Sequence, residues 1–351
     1  MRKILRGLAL VCSIALGLSG CATTNASKAG ATSPPNGARI QEQQRIPAKL
    51  LYPKKLPAMT DDDVERLGDS YLRQGKLVEA FTQYDKLLHK HPGDCRLLYK
   101  RGMVYLLKGR NEQGLSDFRT VLEKEPNNPS AHAGAGQALF QLKHLDDAQK
   151  EFELALAIND RLWLAHDFLG IIYDYNHRYD LAVRQYQTAI ALNPDGGALY
   201  NNLGVCWSLQ GKWDKAVVAF EEALKRGYSQ QQAGNNLGLA LCHVGRFSEA
   251  LQAFKRSGDQ ARAYNNIGSF YMQKGEYAQA VEAFQNAVRL RGGFYPEAGD
   301  NVEKARAAML DSQMSPGKPS APRAEKASVM APERELPQAP RDIRIEGVEQ
   351  D

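Results

Sequence analysis

What catalysis would require is missing from this sequence. It contains no His-Glu-x-x-His, no Gly-x-Ser-x-Gly, no phosphate-cradling glycine loop and no paired-cysteine metal site. Its seven histidines, His89, His91, His132, His144, His166, His177 and His243, are scattered. His89 and His91 sit two apart, which on a helix points them away from each other. No enzyme, metal, cofactor or small-molecule substrate is expected. An excess of either charge is missing too. Removing residues 1–20 takes away Arg2, Lys3 and Arg6, so 45 basic residues become 42 against 40 acidic ones. That balance leaves no nucleic-acid footprint. Cysteine is scarce: beyond Cys21 come only Cys95, Cys206 and Cys242. An odd number at irregular spacing fits buried free thiols or one oxidised pair, and spacing does not choose between them.

Length is what the first apolar run lacks. After MRKILR, with three positive charges, an apolar stretch runs from Gly7 to Leu18, broken by Ser13 and Gly17. A bilayer span needs roughly 20 apolar residues, so this reads as a secretory leader. Leu18, Ser19, Gly20 and Cys21 resemble the lipobox of bacterial lipoproteins. The resemblance implies cleavage before Cys21, a covalent diacylglycerol on its thiol and an N-acyl chain. Two or more acyl chains anchor stably where one does not. Ala22 at the following position resembles the sorting signal for the outer membrane, which implies the periplasmic face of that membrane as the address.

Residues 21–60 follow as a lipid-anchored flexible tether, with five prolines and no sustained periodicity. Residues 313–351 carry six prolines among Lys, Glu, Ser and Ala and read as a disordered tail. Its end, RDIRIEGVEQD, alternates enough to add as a strand to a partner's sheet, though its composition reads first as a solvated tail.

Between these ends the chain repeats. Glycine recurs at 68, 102, 136, 170, 204, 238 and 268, at intervals of 34 residues and finally 30. Twelve positions after each stands a small residue: Ala80, Gly114, Ala148, Ala182, Ala216, Ala250 or Ala280. Sixteen after it stands an aromatic, Tyr84, Phe118, Phe152, Tyr186, Phe220, Phe254 or Phe284, although aromatics make up only 8% of the chain. Within a unit, apolar residues fall at helical spacing on both sides of a break such as Lys274-Gly275-Glu276, which predicts an antiparallel helical hairpin. A mid-helix glycine costs about 1 kcal/mol relative to alanine, so close packing must offset it. The glycine and the alanine are expected where the two helices touch, and the aromatic between one hairpin and the next.

These residues resemble the tetratricopeptide repeat, with Leu-Gly, an alanine, an aromatic and a closing proline at Pro92, Pro126 and Pro194. The resemblance implies an all-α fold, a right-handed α-solenoid of about seven hairpins at 61–94, 95–128, 129–162, 163–196, 197–230, 231–260 and 261–294. Residues 295–312 look like the terminal capping helix such arrays need, with Ala298, Val302, Ala305 and Met309 inward and Glu303, Lys304 and Arg306 in water. The sixth unit is four residues short, close to one helical turn, so a helix can shorten while its buried face stays aligned.

Such arrays bind protein partners on a concave face lined by each first helix. With the repeat glycine counted as position 8, positions 2, 5, 6, 9, 12 and 13 are implied to face it. There stand Asn201 and Asn202, Asn235 and Asn236, and Asn265 and Asn266. A side-chain amide can grip a peptide bond's C=O and N–H together. Asn202, Asn236 and Asn266 resemble the asparagine ladder of peptide-binding arrays, while the alternative is that the amides bond only neighbouring helices. Arg66, Tyr99, Lys100, Phe168 and Tyr175 complete the candidate groove, suited to a partner helix or an aromatic anchor. Positions 5 and 9 never combine Lys with Asn, so a carboxylate clamp for chaperone C-termini is not expected.

The lipobox, the uninterrupted array and the shortened late repeat running into QARAYNNIGSFYMQKGEY are similar to the TadD family of tight-adherence (Flp) pilus systems. The resemblance implies a pilotin-like assembly adaptor whose partner is an outer-membrane secretin or another secretion component. The alternative is a lipoprotein scaffold for cell-wall enzymes or another type IV pilus secretin.

Overall fold

The computed structural model describes residues 59–258 and 260–314. The leader, Cys21, nearly all of the tether and the tail lie outside the described residues.

Helices account for all the regular structure among the described residues, and consecutive ones pair as hairpins. The pairs are α1 (Asp61–Arg73) with α2 (Leu77–Lys90), α3 (Cys95–Leu107) with α4 (Asn111–Lys124), α5 (Pro129–Gln141) with α6 (Leu145–Ile158), and α7 (Trp163–Tyr175) with α8 (Tyr179–Leu192). They continue as α9 (Gly197–Leu209) with α10 (Trp213–Lys225), α11 (Gln230–His243) with α12 (Phe247–Ser257), and α13 (Gln260–Gln273) with α14 (Tyr277–Leu290). Helix α15 (Pro296–Met314) closes the series. Each second helix also packs on the first helix of the next hairpin, so the all-α array expected from the period is what the chain forms.

Every hairpin turns in the same way. In the second, the Arg110 amide donates to the Tyr105 carbonyl at 2.8 Å and the Gly109 amide to Leu106 at 2.9 Å. This Schellman pattern needs a left-handed residue between the helices, and Gly109 supplies it with φ of 69°. Lys143 (φ 68°) and His177 (φ 56°) hold the same place in the third and fourth hairpins, where a side chain makes that conformation costly.

The core corrects one expectation about the repeat residues. A methyl group placed on Gly68, Gly102, Gly136, Gly170, Gly204, Gly238 or Gly268 would lie 2.5 to 3.0 Å from a ring carbon of the aromatic sixteen residues on. The ring therefore lies first against the glycine of its own hairpin, rather than only between hairpins. Phe118 does both, because a methyl on Gly134 of the next hairpin would also meet it, at 2.7 Å. The small residue twelve positions on takes the place expected of it: a methyl on Gly114 would lie 3.0 Å from the Gly102 carbonyl oxygen. Where the aromatic is tyrosine, its buried hydroxyl needs an acceptor. Tyr84 donates to Asp69 at 2.7 Å and Tyr186 to Asp174 at 3.0 Å.

The short sixth unit loses residues from α12, which has 11 where the other second helices have 13 or 14, and from the connection that follows it. The chain leaves it through Gly258 at φ 110°. At the end of the described residues, α15 docks on α14 and α13 as the first helix of a further repeat would. Ala298, Val302 and Ala305 are buried and Met309 is half-buried, while Glu303, Lys304 and Arg306 are exposed. Counted from the buried Ala298, Val302 and Ala305, which match positions 3, 7 and 10 of the earlier first helices, Glu303 takes the place of the repeat glycine, one residue beyond the 34-residue interval.

Candidate functional site

The first helices touch one another through a recurring side-chain bond. A residue at position 6 reaches back to position 5 of the preceding repeat, 35 residues earlier. Lys100 reaches Glu65 at 2.7 Å and also Asp69 at 2.8 Å. Asn202 donates from Nδ2 to Asp167 at 3.0 Å, and Asn236 to Asn201 Oδ1 at 3.1 Å. The cap makes a similar contact at a different spacing, with Asn301 donating to Asn265 Oδ1, 36 residues earlier, at 3.1 Å and Asn265 donating to Glu297 at 3.4 Å. Between the second, third and fourth repeats the pattern turns apolar. The corresponding positions there hold Tyr99 and Gly134, then Ala133 and Phe168.

This geometry gives the candidate residues different tasks. Asn201, Asn236 and Asn265 are buried and bonded to neighbouring helices. Asn202 and Asn235 are half-buried; Asn202 is spent on Asp167, and Asn235 accepts from Ser257 Oγ at 2.5 Å. Asn266 is half-buried. Lys100, expected on an open groove, is buried between two carboxylates. Phe168 is buried as well, edge-on to Phe140 with centroids 5.0 Å apart and stacked on Phe152 at 5.1 Å. Tyr99 is half-buried, tilted on Phe118. Arg66 is exposed and pairs with Asp63 on its own helix at 2.6 Å. Tyr175 is exposed, at 63% of its surface.

Sequence reasoning missed the carboxylates. Asp167 and Asp174 are buried at positions 5 and 12 of α7. Asp167 has no cation beside it, and burial pushes its pKa up to about 7 despite the Asn202 hydrogen bond. Pairing polar residues 35 apart, one more than the period, would have found Asp167 with Asn202 and Glu65 with Lys100.

The histidines and thiols hold structure. His132 Nδ1 pairs with Glu151 at 2.7 Å while Nε2 meets the Pro126 carbonyl at 2.9 Å. His166 repeats this one unit on, with Gln185 at 2.6 Å and the Asp160 carbonyl at 3.0 Å. His243 stacks on Trp213 with centroids 3.6 Å apart, and burial lowers its pKa. Cys95, Cys206 and Cys242 form no disulfide among the described residues, and burial pushes the Cys242 thiol up to about 12. Among the described residues no cluster of His, Cys, Asp and Glu is arranged to hold a metal ion, and no helix is long and apolar enough to cross a membrane.

Comparison with known proteins agrees with this architecture. Tetratricopeptide-repeat profiles match residues 65–94, 105–165, 169–217, 209–260 and 261–294. The chain is similar to the tetratricopeptide repeat and J domain-containing co-chaperone DNJ1 of Fusarium oxysporum, 31% identical over 111 residues, which is 31% of this chain and 21% of that protein. It is also similar to the Hsp70-Hsp90 organizing protein of Triticum aestivum, 25% identical over 100 residues, 28% of this chain and 17% of that one. The chain thus spans about a fifth of the length of these curated relatives. Among solved structures, the APC/C hetero-tetramer Cut9-Hcn1 aligns with a TM-score of 0.51 at 20% identity, covering 70% of this chain and 49% of that one. That likeness is one of fold. Profiles that together take in most of residues 65 to 294, laid on seven stacked hairpins, show that the chain belongs to the tetratricopeptide-repeat family of protein-interaction scaffolds.

Proposed function

We propose that this chain is a lipid-anchored adaptor at the periplasmic face of the outer membrane, holding a protein client for assembly of a tight-adherence pilus or a related secretion machine. The observation that carries the reading is the order of parts: Leu18-Ser19-Gly20-Cys21 behind a short apolar run, a proline-containing tether, then an interaction array. A diacylglycerol on Cys21 would hold the array at the membrane surface, where a secretin pore assembles. The array needs no chemistry of its own for this role. It needs a surface that recognises the client.

The test is Cys21→Ser in the native organism, followed by fractionation and by isolation of the array's partners after mild crosslinking. The expected result is loss of lipidation, release of the protein from the outer membrane and a secretin that no longer reaches it. Normal secretin multimers in the outer membrane of the variant would reject the pilotin-like role. Recovery of peptidoglycan enzymes in place of a secretin would favour the cell-wall scaffold.

A further inference from the structure

The first and fourth repeats present the same problem and solve it differently. Glu65 and Asp69 of α1 are buried, and the next first helix supplies the Lys100 ammonium to both. Asp167 of α7 stands at the position of Glu65, but Asn202 stands where Lys100 would be. A neutral amide gives this carboxylate one hydrogen bond and no counter-charge. Asp167 is only 3% exposed, and no lysine, arginine or histidine among the described residues pairs with it. A buried carboxylate without a cation is costly, and the chain keeps one on the face where partners would dock.

A second unspent group lies one repeat earlier. Gln137 of α5, at position 9, is 2% exposed, and its Nε2 has no acceptor. Helices α5 and α7 meet through Phe140 and Phe168, next in sequence to Asp167. Toward the other end of α7, two turns from Asp167, the Tyr175 ring stands open to solvent. The donor, the anion and the bare ring ask for three things: a carbonyl oxygen, a cation, and an aliphatic stem or flat guanidinium to lie on an aromatic face.

We propose that the first-helix face of the third to fifth repeats binds an extended client segment through a lysine or arginine whose cation pairs with Asp167. Gln137 Nε2 then donates to a main-chain carbonyl of the segment, and Tyr175 covers the basic side chain's stem. This rests on the adaptor reading and narrows its client to a protein with an exposed basic segment. The ligand does from outside what Lys100 does from within.

The test uses the mature full chain to select from a random twelve-residue peptide library displayed on phage. Wild-type protein, Asp167→Asn and Asn202→Lys are used in parallel. Asn202→Lys places an ammonium where Lys100 stands in the second repeat, so it should fill the site from within, and it remains informative if Asp167→Asn does not fold. Peptides selected by the wild type should carry Lys or Arg at one recurring position. Replacing that arginine by citrulline, or that lysine by glutamine, should weaken binding at least tenfold in fluorescence anisotropy. Both variants should lose that discrimination. Selected peptides without a recurring basic residue, equal binding of the neutral peptide, or discrimination that survives in the folded variants would overturn the proposal while leaving the adaptor reading standing. Selection of no peptide at all would also overturn it, whereas the adaptor reading fails only on the fractionation of the Cys21→Ser strain.

Discussion

Asn236 donates from Nδ2 to Asn201 Oδ1 across 3.1 Å, joining the first helices of two successive repeats inside the protein. Both residues are buried, so removing one side chain leaves the other without its partner. Asn236→Ala should therefore destabilise the array by roughly 1–3 kcal/mol in urea unfolding. Asn201→Ala should cost a similar amount, and the double variant less than the sum. Additive losses would mean that the two amides do not act as a pair.

The glycine beneath each ring sets a second expectation. A methyl on Gly238 would lie 2.6 Å from Phe254. Gly238→Ala should lower stability by about 1–3 kcal/mol although alanine favours helix, because overpacking outweighs propensity. Thermal melting checks it, and Phe254→Leu in the same chain should recover part of the loss.

Two turns carry a strain that glycine would relieve. Lys143 and His177 adopt φ of 68° and 56° where five other hairpins have glycine. Lys143→Gly and His177→Gly should each stabilise the protein by about 1 kcal/mol, the reverse of the usual effect of glycine. A fall in melting temperature for both would show that their side chains earn their place by contacts.

Asp167 predicts a dependence on pH. Its folded pKa is raised to about 7 from an ordinary 3.8 by burial. Tyr186 of α8, Asn202 and Cys206 of α9 and Asp174 on its own helix surround this region, and none is a cation. Between pH 4 and 7 the unfolded chain ionises at this group and the folded chain does not, so its contribution to stability falls as pH rises and levels off above pH 7. The fall is up to ~4 kcal/mol, from about 1.4 kcal/mol per pKa unit. Asp167→Asn should flatten this limb of the stability curve, as measured by urea unfolding from pH 4.5 to 8.

The array was legible because its period forces it. A glycine, a small residue and an aromatic recurring seven times leave stacked hairpins as the economical way to bury those residues together. The candidate site was less legible, because a position lining a helix face says where a side chain starts and not what it meets. Lys100 and Asn236 lie on the expected face and are consumed by the preceding repeat. Phe168 was drawn into the core by Phe140 and Phe152. Asp167 is a lone acid in the sequence, and its meaning depends on Asn202 standing where another repeat has lysine.

The central claim is that the first-helix face holds a client while the second-helix face does not. It is tested most directly by site-specific photocrosslinking in cells, with a benzophenone amino acid at Tyr175 on α7 and, for comparison, at Val218, exposed at 60% on α10. The account predicts discrete adducts with an outer-membrane assembly protein from position 175 and none from position 218. Adducts from position 218 alone would contradict it.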